Sequence, residues 1–331
     1  MNLLPKVVAG APTVGLELAN AFGVFRLNQC PGVFEAKALL SSSSINHAGA
    51  SGRSGARPVS EIRPPSLSGI NLIAHLRKLA QYKDLIWTLS VHRIKVRYKQ
   101  SVLGVLWAVL QPISMMLIFT FIFSFIARMP SEGLPYAIFA YTALLPWNYF
   151  STGVSNATNS LVSHAQFVTK VYFPREILPI SYIVAALFDF SVACILLAGF
   201  MVYYHVPLTI NILYAIPIVV VVSCFALAIS FLLSATQVRF RDVGVAVPLL
   251  LQVWLFATPV VYPLSAVPER WRTFYLLNPM VGIIENFRQV MLTGRAPESR
   301  SLLLSAAISV ALLVGSYLYF KLSEATMADY V

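Results

Sequence analysis

Long stretches without a charged side chain decide what this chain can fold into. No residue between Lys99 and Arg128 is charged, none from Val243 to Pro268, and none from Ser301 to Phe320; the run from Glu176 to Arg239 is broken only by Asp189. A helix needs about 20 apolar residues to cross the ~30 Å hydrocarbon core of a bilayer, so runs of this length read as membrane spans. Composition agrees. With 58% of its residues hydrophobic and 11% charged, the chain falls well below the roughly one quarter charged residues of a soluble domain. The same balance excludes a disordered chain. Cys30, Cys194 and Cys224 share no CxxC spacing and are too few for a disulfide scaffold or structural zinc. The net charge of +11 belongs with cytoplasmic loops and anionic lipid rather than nucleic acid. The expected fold is an all-α integral membrane protein.

Six spans are expected: 102–127, 134–158, 177–204, 210–235, 243–263 and 301–320. Pro112, Pro146, Pro217 and Pro248 fall inside them, where they kink a helix or mark a packed interface without ending the span. An even number of spans puts both ends on one side. That side carries twelve Lys and Arg, mostly between Arg77 and Lys99, against six on the other. The excess places both termini in the cytoplasm.

Two segments lie outside this pattern. Residues 1–69, rich in Ser, Gly, Ala and Pro, read as a disordered stretch or extension. Val7–Leu16 is faintly signal-like, but Glu17 interrupts it and a cytoplasmic N-terminus contradicts it. Over 70–99, Leu72, Leu76, Leu79, Ile86 and Leu89 recur at helical spacing among seven Lys and Arg. Such a pattern just ahead of a span predicts an amphipathic helix in the headgroup layer, either a plain positive-inside anchor or one that shares in substrate recognition, with Arg93, Arg97 and Lys99 beside a substrate's phosphate head group.

No phosphate-binding GxxxxGK[ST] loop occurs, so no nucleotide or other cofactor is expected in this chain. No HExxH or GxSxG motif appears and the five histidines are scattered, which argues against a membrane-embedded enzyme of glycan assembly. An ion-driven flippase needs several ionisable groups inside its spans, and only Asp189 lies well inside one. Asp189 either takes part in transport or joins two helices through a Tyr or Ser. Trp147, Asn148, Tyr149 and Phe150 lie near the middle of the second span, and Trp254, Phe256 and Tyr262 in the fifth. Interfacial belts put aromatics at span ends, so these pack helices together or line a passage for a sugar polymer. Segment 165–176, with Gln166, Phe167, Lys170, Val171, Tyr172, Phe173, Pro174, Arg175 and Glu176, is more apolar than a solvated connector requires. It predicts a docking helix for a soluble partner. Residues 264–292 carry semi-apolar helical stretches, with Glu285 and Arg288 spaced to pair on one face. They suit a re-entrant gate.

Several ordered motifs then resemble one family. Arg97-Tyr98-Lys99-Gln100-Ser101-Val102-Leu103-Gly104 through Trp107 to Leu110-Gln111-Pro112 is similar to the entry to the first span of ABC-2-type permeases. The branch is the one that exports lipid-linked polysaccharides and polyol phosphates. Pro146-Trp147, Val171–Pro179, Arg241-Asp242, Thr258-Pro259-Val260 and Asn278-Pro279 follow in the order of that branch. The resemblance covers about residues 75–325. It implies a homodimer of six-span subunits bound to two copies of a separate ABC ATPase that holds ATP and Mg. It also implies a coupling helix after the second span, an interface helix before the first, re-entrant gate helices between the fifth and sixth, and a channel lined partly by aromatics. The implied substrate is a lipid-linked glycan such as O-antigen, capsule or teichoic acid, carried across the inner membrane.

Overall fold

The structure, a computed structural model, describes residues 77, 79–99, 101, 103–131, 133–166 and 173–330. The expectations for residues 1–69, Leu72 and Leu76, and for Phe167, Lys170, Val171 and Tyr172, lie outside them. Every regular element among the described residues is helical. In chain order these are α1 (Lys83–Lys99), α2 (Trp107–Phe119), α3 (Tyr136–Thr158), the single turn α4 (Ser160–Ser163) and α5 (Ile177–Tyr203). There follow α6 (Ala215–Arg239), α7 (Val243–Phe256), α8 (Glu269–Leu276), α9 (Pro279–Arg288) and α10 (Ser299–Tyr330). A 3₁₀ turn, Gly104–Leu106, leads into α2, and wider π turns extend α2 through Thr120–Ile126 and α9 through Gln289–Thr293.

Four helical stretches are long and apolar enough to cross a membrane: Gly104–Ile126, Ile177–Tyr203, Ile210–Arg239 and Ser299–Glu324. They overlap the expected first, third, fourth and sixth spans and make this a multi-pass membrane protein. The other two expected spans fall outside these four for different physical reasons. α3 has ample length, 23 residues, but Thr142, Asn148, Thr152, Ser155, Asn156 and Thr158 make it the more polar helix. It sits in the middle of the bundle, against α2, α5, α6, α7 and α9. α7 has the apolarity but only 14 residues, and it ends at Phe256, short of the expected residue 263. Pro259 accounts for the stop: its ring lacks the N–H of the next helical bond and steers Thr258 away from helical angles. α10 overruns its expected end at 320 and remains helical to Tyr330. The C-terminal end of the docking helix expected over 165–176 is not helical. Phe173–Glu176 form a bend and a turn, because the residue before Pro174 is disfavoured in the α region.

Lipid tails are as apolar as Leu, so helices here associate through close packing rather than expulsion of water. Gly282 is one place where that closeness is visible. A Cβ there would lie 2.9 Å from the Ser301 carbonyl oxygen and collide with Ser305 Oγ, so α9 packs directly on the α10 backbone. Asn278 starts α9 cleanly by accepting from Met280 N at 3.1 Å, with Pro279 in the first turn.

Candidate functional site

Three arrangements carry the chemistry. The first fastens the end of the 165–176 loop to the last helix. Glu176, 2% exposed, meets Lys321 Nζ at 2.8 Å, and Lys321 reaches Glu324 at 2.9 Å. Tyr317 donates to Glu176 at 3.4 Å and Arg175 donates to the Glu324 carbonyl at 2.5 Å. Phe173 packs on the small apolar cluster formed by Leu161, Leu178, Phe231 and Phe320 beside it. Two buried ions survive because each answers the other's desolvation. Arg175 and Glu176 are thereby fastened to α10. Gln166, the other described residue of the docking set, is exposed.

The second arrangement is a cavity of about 350 Å3 between the end of α1 and helices α2, α3 and α5. Arg97 donates to Asp189 and Tyr98 donates to the other carboxylate oxygen at 2.6 Å. Burial first, and then the bond to Asp189, push the Tyr98 phenol up to about 12. Asp189 is thus a helix contact made through a Tyr and an Arg. Farther back along α1, Arg93 donates to Ser181 at 2.8 Å and stacks over Tyr182, its guanidinium 3.4 Å from the ring centre. Burial lowers its pKa. α1 therefore runs along α5 from Ser181 to Asp189, and two of the three expected phosphate-binding cations face protein partners. The apolar Trp87 and Val96 point outward, and Lys99 is exposed. Of the expected apolar positions, Leu79, Ile86 and Leu89 are half-buried, Leu89 against the cluster of Leu161 and Phe320, while Lys83 and Lys95 are exposed.

α3 presents Asn148, Thr152 and Asn156, one helical turn apart each, to this cavity. Asn148 Nδ2 is buried without a hydrogen-bond partner. The stripe is readable in the sequence at spacing four, yet only Asn148 attracts notice there, for its place among aromatics. Those aromatics have different fates. Phe150 is fully buried and stacks on Phe225 at 5.1 Å, with Trp254 edge-on to both. Trp147 joins Trp254 at 6.4 Å. Tyr149 bonds Ser223 at 2.8 Å and also borders the cavity. Phe256 is exposed. In this arrangement Trp147 and Phe150 are core, with no surface left to line a passage.

The third arrangement caps the break after α7. Thr258, Val260 and Val261 are buried, and their non-helical backbone has to be satisfied by side chains. Arg288, from α9, donates to the Pro259 carbonyl at 3.0 Å and to Val260 at 3.1 Å, while pairing with Glu285 at 3.2 Å. Tyr136 donates to the Val261 carbonyl at 2.7 Å, and Tyr262 to Phe256 at 2.9 Å. Arg288 also lies over Phe139, 3.8 Å from the ring centre. The expected Glu285–Arg288 pair is present, but its arginine braces a chain break rather than standing at a surface.

This construction can be set beside known proteins. The model for ABC-2 type transporters matches residues 84–292, from α1 to the end of the turns after α9. The chain belongs to the ABC-2 type transporter family. This ABC-2 chain is 35% identical over 263 residues to the O-antigen export system permease protein RfbA of Myxococcus xanthus, covering 78% of this chain and 99% of that protein. An O-antigen export system permease protein RfbA of Klebsiella pneumoniae is 30% identical over 48% of this chain and 61% of its own length. The polysialic acid transport protein KpsM of Escherichia coli is 26% identical over 75% of this chain and 96% of its own. The family match takes in the cavity and the braced break of this ABC-2 chain, whereas α10 with Lys321 lies beyond it.

Proposed function

We propose that this protein is the membrane-spanning permease of an ABC exporter that moves a lipid-linked polysaccharide across the cytoplasmic membrane. Alignment with 99% of an O-antigen export permease carries the reading. In this reading two copies form the conduit, each with six crossings and both termini in the cytoplasm. The central polar α3 counts as the second crossing, and α7 with its braced turn as the fifth. Segment 264–292 is the re-entrant gate, and its Arg288 braces the buried non-helical turn at 258–261 that precedes it, as backbone at membrane depth requires. Two copies of a separate ATPase hold ATP and Mg; segment 165–176 receives their movement and hands it to α10 through Glu176 and Lys321. Nucleotide binding favours one of two arrangements of the spans, and hydrolysis releases it.

The test is to purify the tagged chain together with a phosphate-loop ATPase and measure turnover with and without a polyprenyl diphosphate-linked oligosaccharide. Stable co-purification and stimulated turnover are expected. An ATPase that neither binds the chain nor responds to the glycolipid overturns the reading.

A further inference from the structure

Polar side chains inside a membrane protein are costly and mark either helix contacts or a ligand path. The stripe of Asn148, Thr152 and Asn156 on α3 faces the cavity bounded by α1, α2 and α5. If the stripe served helix contact, its amides would be spent on neighbouring helices. Asn148 Nδ2 instead is buried and bonded to nothing, and a buried donor left so costs about 1–3 kcal/mol. A ligand that accepts from it, the Asn148 side chain turning into the cavity to meet it, recovers that cost.

The charge balance narrows the ligand. Only Arg97 and Asp189 among the lining residues carry charge, and they are paired with each other. A phosphate would have to displace a carboxylate to reach Arg97, so the cavity suits a neutral molecule. Each Asn offers donors and an acceptor side by side, the pattern that vicinal hydroxyls complement. Trp107, half exposed at the cavity wall, adds a flat apolar face. The volume of about 350 Å3 lies at the small end of the ~300–1,000 Å3 of ligand pockets.

We infer that this cavity is a saccharide subsite that takes one neutral pyranose of the substrate, with the lipid diphosphate held elsewhere. The inference rests on the exporter reading above and specifies which part of the cargo this cavity recognises. Asn148 and Asn156 bond the ring hydroxyls, Trp107 supports a C–H face, and the Arg97–Asp189–Tyr98 contact sets the position of the wall.

The test uses the wild-type permease–ATPase complex in nanodiscs and a polyprenyl diphosphate-linked N-acetylhexosamine carrying a diazirine on the sugar. Cross-links are expected on residues 107–111 and 148–156. Unlabelled glycolipid should suppress them at a concentration about tenfold below that needed of bare polyprenyl diphosphate, a difference of ~1.4 kcal/mol. Asn148→Leu should raise the glycolipid concentration for half-maximal ATPase stimulation by a similar factor. Cross-links confined to other helices, or equal competition by the bare diphosphate, overturn the subsite while leaving the exporter reading intact. If the glycolipid does not stimulate the wild-type complex at all, the exporter reading falls and takes the subsite with it.

Discussion

Lys321→Met is the sharpest perturbation of the anchor between the 165–176 loop and α10. Lys321 Nζ lies 2.8 Å from Glu176 Oε2 in a site where Glu176 is 2% exposed. At an effective dielectric of about 20 the gross attraction at that distance is ~6 kcal/mol, and desolvation of both ions opposes it. Removing one member of such a pair strands the other, at a measured cost of about 3–5 kcal/mol. After Lys321→Met, Glu176 retains only the long bond from Tyr317. The reciprocal change is milder, because Lys321 in Glu176→Gln still has Glu324 at 2.9 Å. The expected order of destabilisation is therefore Lys321→Met, then Glu176→Gln. The double change Glu176→Leu with Lys321→Met should recover much of the loss, since no ion is then buried alone. Denaturant unfolding in nanodiscs measures stability, and coupling is read as ATPase stimulation in the complex. The reasoning is refuted if Lys321→Met is as stable as wild type, or if Glu176→Gln costs more.

Arg288→Leu deprives two buried carbonyls of their donor and should cost ~2–6 kcal/mol at about 1–3 kcal/mol each; Arg288→Lys should rescue poorly, as a point charge cannot reproduce the fork, and both are measured by unfolding. Gly282→Ala places its Cβ against the Ser301 backbone and should destabilise by about 1–3 kcal/mol, whereas Gly315→Ala, with open space around it, should be neutral or slightly stabilising. His164, in the turn after α4, has its pKa lowered by burial and then by Arg93. The folded state therefore binds its proton less readily than the unfolded one, and stability present above the unfolded value of about 6.5 is lost as the pH falls below it. His164→Gln should flatten that acid limb in thermal unfolding followed from pH 7.5 to 5; an unchanged limb contradicts the assignment.

How far the sequence alone reaches depends on the kind of signal. Charge-free runs locate α2, α5, α6 and α10 because hydrocarbon punishes any ion, so the pattern reports the solvent directly. The break in α7 is written in Thr258-Pro259, but apolarity continues across it and hides it from a count of charges. Arg288 is legible as half of an i, i+3 pair; its bond to a carbonyl 29 residues earlier in the chain is not, since only the tertiary fold sets that distance. Lys321 looks like an ordinary positive flank until the turn of Arg175 and Glu176 is seen beside it. The aromatic cluster misleads most. Trp147 and Phe150 have the chemistry of a sugar wall, yet stacking with Phe225 and Trp254 satisfies them, and the side chains between them that face a cavity are Asn148 and Tyr149.

The central claim is that this chain is a conduit driven by a separate ATPase. Its most direct measurement is delivery of a fluorescent polyprenyl diphosphate-linked oligosaccharide to the far leaflet of proteoliposomes containing the purified chain. Delivery is expected only when the ATPase and hydrolysable ATP are both present, and to stop when an analogue resistant to hydrolysis replaces ATP. Delivery by the chain alone at the same rate contradicts the account.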